Sequence, residues 1–375
     1  MHFNKLQATQ LFDGYRFHQN KILVLQENGT VEAIIDPSDA GDDVQMIRGI
    51  LSPGFINCHC HLELSHLKDQ IPENTGLAGF VRQVVQKRNF SEADIFDAIA
   101  NAEKEMQQNG IVAVGDICNT THTLPQKKQG NLYYHNFIEA MGADPAVADK
   151  NFEFYKTVYQ QFADQLTPLQ ASIVPHAPYS VSDPLWEKIL RYPQNQLFSI
   201  HNQETADENF WFEQKTGSFV EMFKAMGLNM DLFQPSGKSS LQTYLPRFHN
   251  GQQVLLVHNV HTSEADIEMV KESATSVYWC LCPNANEYIS RAQPPVPLLV
   301  KNGCNIVLGT DSLASNHQLS IWEEIKTLRK YFPDISLEQM LSWATINGAK
   351  ALKIEDQYGS FEKGKKPGIA VVPLG

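Results

Sequence analysis

Two imidazoles two residues apart, flanked by thiols, are the first residues in this chain with the spacing for chemistry. The stretch PGFINCHCHLELS, residues 53–65, alternates Cys58, His59, Cys60 and His61 and then adds Glu63. The run ahead of it, GILSPGFIN, is short and apolar and carries Pro and Gly, which predicts a buried strand entering a loop. Side chains two apart on a strand share a face. His59 and His61 therefore face one way, and Cys58 and Cys60 the other. A metal ion drawn to the imidazoles leaves the thiols behind. The C-x-C spacing, repeated at Cys280 and Cys282, is also too short for a cysteine zinc site. A single His-x-His also arises by chance, so the rest of the chain must decide.

The elements that would position these residues can be read from the apolar runs. ILSPGFIN, GIVAVGDIC, LYYHNFIEAMG, LQASIVPHA, LFSIHNQE, QVLLVHNV, SVYWCLCP and NIVLGTD make eight. Near-continuous apolar runs suit parallel strands buried on both faces. Helical patterns fall between them. SEADIFDAIANAEKEMQQNG has Ser91 to cap its start and Gly110 to stop it, and TSEADIEMVKESA and SLEQMLSWATINGAKALKI read alike. Strand and helix repeated eight times predict an α/β fold, a (β/α)8 TIM barrel. An open doubly wound sheet is the alternative, though no G-x-G-x-x-G follows the early strands. Before the barrel, KILVLQENGTVEAII carries an Asn28-Gly29 hairpin signal, and the C-terminal stretch reads as turn and strand.

Barrel enzymes work at the C-terminal ends of their strands. The first run ends at His59 and His61, the fourth at His176, the fifth at His201 and Glu204, the sixth at His258 and the eighth at Asp311. Four of eight runs thus end in histidine, in a chain with 13 histidines among 375 residues. This concentration predicts a metal site. Imidazole and carboxylate donors suit Zn2+, with Fe2+ and Mn2+ as alternatives. The expected ligands of one divalent ion are His59, His61, His201 and Asp311, with water as a further partner. His258 reads as a group beside that water or as another ligand.

The bulk numbers exclude other classes. A net charge of −12 argues against nucleic acid as partner. No stretch has the apolar length to span a bilayer. The N-terminal segment lacks a basic stretch followed by an apolar one, and six cysteines suggest reduced thiols. These features predict a cytoplasmic protein that acts on a small molecule.

PGFINCHCHLE, PHAPYSVS, IHNQETADE, VHNV, CPNANEYI and GTDSLASN, in that order across nearly the whole chain, resemble the amidohydrolase superfamily. Within it they are most similar to the mononuclear deaminases of purine-like rings. HLELS and FIEAMG look most like aminodeoxyfutalosine deaminases, and HAPYSVS is also similar to methylthioadenosine and S-adenosylhomocysteine deaminases. The resemblance implies a barrel over 51–357 beside a small composite β-sandwich built from 1–50 and 358–375. It also implies one metal, because His176 stands where binuclear members carry a modified lysine, and it makes a homodimer the assembly to expect. Ala285, where relatives often have serine, and GKKPGIAVV, where an acidic residue is usual, depart from the pattern.

The expected reaction is hydrolytic deamination. A metal-activated water attacks the amine-bearing ring carbon. Asp311 and His258 orient that water and take its proton. Glu204 delivers the proton that the ring nitrogen needs, as a general acid after acting as base. By resemblance His176 contacts substrate. Glu63 returns to the face of His61 if the chain stays extended, where it would meet a ring edge, and Glu139 at the end of the third run is a similar candidate. The long aromatic and Met-rich stretch 209–245 either covers the pocket or packs as a helical excursion. His317 is near enough in sequence to Asp311 to line the mouth. Hydrolysis of a cyclic amide, of guanine or of a ring halide is the alternative activity, and an inactive binding barrel is the remote one.

Overall fold

The computed structural model describes residues 3–373 apart from residue 232. Residues 1, 2, 374 and 375 of the expected terminal segments, and residue 232 of the 209–245 stretch, lie outside the described residues.

All eight expected strands form. β6 (Phe55–Cys60), β7 (Ile111–Cys118), β8 (Tyr133–Ala140) and β9 (Ala171–Pro175) make one parallel sheet. β10 (Leu197–Asn202), β11 (Gln253–His258), β12 (Ser276–Leu281) and β13 (Ile306–Leu308) make another. The two half-sheets close on each other, which rules out the open sheet. The His201 amide donates to the His176 carbonyl at 3.0 Å, and the amides of Thr310 and Asp311 both donate to the His59 carbonyl at 3.0 Å. Every residue of β6, β10 and β11 is buried, as strands packed against helices on one side and a filled barrel on the other require.

The helices between strands start where the sequence signals them. The Ser91 side chain accepts the Asp94 amide at the head of helix Glu92–Gln108, and Gly110 takes φ of 76° after its end. Ser263 and Asp266 form a capping box on helix Glu264–Glu272. One connection departs from the pattern. Between β7 and β8 there is only a single turn, Leu124–Lys127. The last helical pattern is broken at Trp343–Asn347 by a π-turn. There Gly348 sits against β6, where a Cβ would come within 2.7 Å of the Ile56 Cβ.

The chain ends form a second sheet of β1 (Phe3–Phe12), β2 (Phe17–His18), β3 (Ile22–Gln26), β4 (Val31–Ile35), β5 (Val44–Pro53) and β14 (Ile369–Val372), ordered β14-β5-β1-β3-β4 with β2 on β1. The hairpin turn at Asn28-Gly29 joins β3 to β4, with Gly29 at φ of 85°. Leu6, Leu23, Leu25 and Leu51 form one apolar cluster, and Ile22, Val24 and Ala40 another. This sheet is therefore apolar on both faces, which gives it sandwich character.

Candidate metal centre and cavity

Donor atoms of His59, His61, His201 and Asp311 lie within 4.8 Å of one another, and all four residues are buried. Asp311 Oδ1 is 3.5 Å from His59 Nε2 and 3.4 Å from His61 Nε2, and the Nε2 atoms of His61 and His201 are 3.3 Å apart. Ligands on a tetrahedral zinc at ~2.0–2.2 Å stand roughly 3.3 Å from each other, which matches this spacing. The orphaned atoms point the same way. Both ring nitrogens of His59 and Nδ1 of His61 are buried without a hydrogen-bond partner. Facing lone pairs in a buried site repel unless a cation lies between them. Burial pushes the His61 imidazole down to about 3 and holds His201 well below its usual range, so both rings are neutral donors. Three imidazoles and a carboxylate fit a divalent ion of the zinc, iron or manganese type.

Each donor is aimed by its strand end. β6 carries a bulge before Cys60, because Asn57 pairs with Val114 and Cys60 with Asp116. His59 and His61 nevertheless reach the cluster, while Cys58 and Cys60 lie fully buried in the core. Burial raises both thiols well above their usual range. His201 Nδ1 donates to the His176 carbonyl at 2.9 Å, which frees Nε2. Asp311 takes φ of 57°, and the segment GTDSLASN explains how this strained position is held. Gly309 lets β13 approach β6, since a Cβ there would sit 2.8 Å from the His59 Cβ. The Thr310 amide and hydroxyl bond the Asn57 side chain at 3.1 and 2.8 Å. Ser315 donates to Asp311 Oδ2 at 2.5 Å, leaving Oδ1 for the cluster. Burial alone would raise the Asp311 carboxyl, but the surrounding His59, His61 and His258 rings outweigh it and hold the carboxyl well below its ordinary range.

His258 and Glu204 lie beside this cluster. His258 and Asn259 end β11 at φ of 73° and 62°. This conformation is affordable because the Asn259 amide bonds the Leu256 carbonyl at 2.7 Å. His258 Nδ1 donates to Asn286 Oδ1 at 2.8 Å, so Nε2 keeps its lone pair, 3.7 Å from Glu204 Oε1. Burial lowers the His258 ring, and burial followed by repulsion from Asp311 raises Glu204 well above its ordinary range. The pair therefore sets an imidazole lone pair beside a carboxyl whose hold on its proton burial strengthens.

Glu63 does not arrive as expected. The extended chain stops at His61, and Leu62–Leu67 turn into a 3-10 helix. Glu63 still lines the cavity, but its Oε2 accepts the amides of Asn119 and Thr120 at 3.1 Å and the Thr120 hydroxyl at 3.0 Å. Glu139 Oε2 accepts from Asn119 Nδ2 at 3.0 Å, and its Oε1 is 3.4 Å from His201 Nδ1. Burial pushes both carboxyls up to about 7. His176 is anchored to Ser180 at 2.7 Å and also faces the cavity. His317 does not. It is 65% exposed and pairs with Glu73 at 3.2 Å.

The cluster forms the floor of a cavity of about 560 Å3. Its walls include Phe80, Val81 and Val84 from helix Gly76–Lys87 and Met222, Phe223 and Met226 from the 209–245 stretch. That stretch does both things weighed for it. Phe219 and Phe223 pack with Trp211 in a separate apolar cluster, while Met222 and Met226 face the cavity. Sequence reasoning missed Asn286, Ser315 and Asn119. The first two sit within the quoted motifs, beside His258 and Asp311. Asn119 carries no such signal.

Among the described residues, no helix is long and apolar enough to cross a membrane. Residues 50–374 match the amidohydrolase family. The chain is 26% identical over 328 residues to an adenosine deaminase of Helicobacter pylori, covering 86% of this chain and 78% of that protein. It is 26% identical over 342 residues to a 5-methylthioadenosine/S-adenosylhomocysteine deaminase of Thermoanaerobacter pseudethanolicus, covering 87% and 73%. Among solved structures it resembles the Helicobacter pylori aminofutalosine deaminase in complex with methylthio-coformycin, with a TM-score of 0.82, 22% identity, and coverage of 99% and 92%. With the barrel, the donor cluster and a match over nearly its full length, the chain belongs to the amidohydrolase family.

Proposed function

We propose that this chain is a metal-dependent hydrolytic deaminase, with Zn2+ as its ion, that releases ammonia from the amino-substituted purine-like ring of an adenosine-type nucleoside. The observation that carries the reading is Glu204, a buried carboxyl whose Oε1 lies 3.7 Å from His258 Nε2, beside the His59, His61, His201 and Asp311 donors at a cavity floor. The names of the relatives support the same class. A divalent ion held there by His59, His61, His201 and Asp311 would lower the pKa of its bound water to near neutrality. Asp311 and the free Nε2 of His258 orient the water and accept its proton as it adds to the amine-bearing carbon. Glu204 donates its proton to the adjacent ring nitrogen, where negative charge would otherwise build up. The proton held by Asp311 and His258 then passes to the amino group. The C–N bond breaks and ammonia leaves, and the hydroxyl on the ring carbon gives its proton back to Glu204 as it becomes the carbonyl. His176, Glu63 and Glu139 contact the substrate. In this reading residues 1–50 with 358–375 form the small domain and 51–357 the catalytic one, and the enzyme works in the cytoplasm as a homodimer.

The test is ammonia release by the zinc-loaded protein from adenosine, methylthioadenosine, S-adenosylhomocysteine, aminofutalosine and guanine. Ammonia should come from adenosine-type nucleosides, and Glu204→Gln should lower kcat by about 10²–10⁴-fold. Turnover of a lactam with no ammonia from any nucleoside would reject the reading.

A further inference from the structure

On the reading of His61 as a metal ligand, we infer that Asp116 and Lys127, a buried ion pair behind the cavity wall, are positioning residues that aim its ring at the metal centre. Lys127 and Lys128 are adjacent in sequence, yet Lys128 is exposed and Lys127 is buried. The Lys127 ammonium lies 2.5 Å from Asp116 Oδ2, and both side chains are 0% exposed. Lys127 also donates to Asn136 Oδ1 at 2.7 Å and to Cys118 Sγ at 3.2 Å, so all three of its donors are used. The rings of Tyr134 and Phe162 lie 4.9 and 5.1 Å from the charge. Burial alone would lower the pKa of this ammonium, but Asp116 outweighs it and holds the group above its ordinary range. Apolar residues of like volume often serve stability as well as a buried ion pair does. Stability is therefore a weak reason for this one.

Its place in the fold gives a stronger reason. Asp116 lies on β7, and Lys127 ends the single turn that stands where the barrel pattern calls for a full helix. Past the bulge in β6, Cys60 pairs with Asp116, and His61 leaves the strand at φ of −115° and ψ of 76°. The next amide, that of Leu62, donates to Asp116 Oδ1 at 2.8 Å. The peptide that follows His61 is thus held by one carboxylate oxygen, and the other oxygen is held by Lys127. Asn136 extends these bonds to the Gln170 carbonyl at 2.9 Å, just ahead of β9. His61 has need of such a frame. A ligating imidazole is usually oriented by a bond from its other nitrogen, as His201 is through the His176 carbonyl. Among the described residues, His61 Nδ1 has no such partner. His59 is anchored through its own carbonyl, which accepts the amides of Thr310 and Asp311. At His61 the corresponding backbone anchor is Asp116.

Three variants of the full chain test the pair. Zinc affinity is read by competition with a chelator, and the absorption spectrum of the Co2+-loaded protein reports ligand geometry. Lys127→Met leaves Asp116 buried without its cation. It should weaken zinc binding roughly 10–100-fold and alter the Co2+ spectrum. Asp116→Asn combined with Lys127→Met removes both charges but keeps an oxygen for the Leu62 amide, and should regain most of the affinity. Asp116→Ala combined with Lys127→Met removes that oxygen and should lose the affinity again. A pair that serves stability alone would lower the melting temperature of the metal-free variants and leave zinc affinity and spectrum at the parent's values. That result overturns the assignment, and so does equal zinc affinity in the two double variants. If the variants do not fold, hydrogen exchange at the Leu62 amide of the metal-free parent decides. Protection equal to that in the zinc-loaded protein supports the anchor, and free exchange until zinc is added overturns it. If the parent binds no zinc, the metal reading fails, and exchange at Leu62 still decides whether Asp116 holds the residue after His61.

Discussion

The floor of the cavity and its mouth are built by different rules. At the floor, every proposed ligand sits at or just past a strand end, and two of them and the neighbouring His258 are held from behind. His201 is held by the His176 carbonyl, Asp311 by Ser315 and His258 by Asn286. At the mouth, side chains come from helix Gly76–Lys87, the 119–122 loop and the 218–228 segment. They are mostly apolar, and several are exposed, Met226 at 53% and Val85 at 53%. A strand end fixes direction through the ladder, so a small number of residues there must be right. A helix face offers area, so many residues share the work and each can vary.

The largest effect that would break this comparison lies within one strand. His61→Ala removes a donor and should cost more metal affinity than the roughly 10–100-fold expected on losing an outer hydrogen-bond partner. Activity should fall with it. Cys60→Ala, one residue earlier and facing the core, should keep its metal and lose only packing. Metal content of the two purified variants by elemental analysis is the measurement. Equal content would mean that strand position does not separate ligand from core.

The next effect tests the support behind the floor. Asn286 Oδ1 fixes which nitrogen of His258 carries the proton. Asn286→Ala should lower kcat on the order of 10–100-fold with little change in KM. Asn286→Asp keeps an acceptor and should recover part of the loss. A change in KM alone would place Asn286 with the substrate and not with His258.

This contrast also explains what was legible in the sequence. The eight strands and the His59, His61, His201 and Asp311 cluster could be read because period-two alternation and the ends of apolar runs translate directly into direction in space. That translation weakens where the chain leaves the strand. The backbone turns into a 3-10 helix at Leu62, so Glu63 reaches the cavity from a helical turn and not along an extended chain. His317 is near Asp311 in sequence, but the loop carries it outward to Glu73. The supports were hidden for another reason. Asn57 meets Thr310 across 253 positions of sequence, and no local pattern records such a pair.

The smallest effect belongs to the mouth. Met226 lies just past helix Ser218–Ala225, half out in solvent, with its neighbour Phe223 taking the packing role against Trp211. Met226→Ala removes apolar wall without opening a core, because the side chain is already 53% exposed. Stability should therefore move by no more than about 0.5 kcal/mol, and KM for a nucleoside with an apolar tail should rise by roughly threefold, the worth of about one buried methylene. The change should scale with the tail. Adenosine, which has none, should respond less than methylthioadenosine, and kcat should stay level for both. Steady-state kinetics on the two substrates separate the alternatives. A loss of kcat would mean that the 218–228 segment reaches down to the reacting ring, and the division between a rigid floor and a tolerant mouth would have to be redrawn.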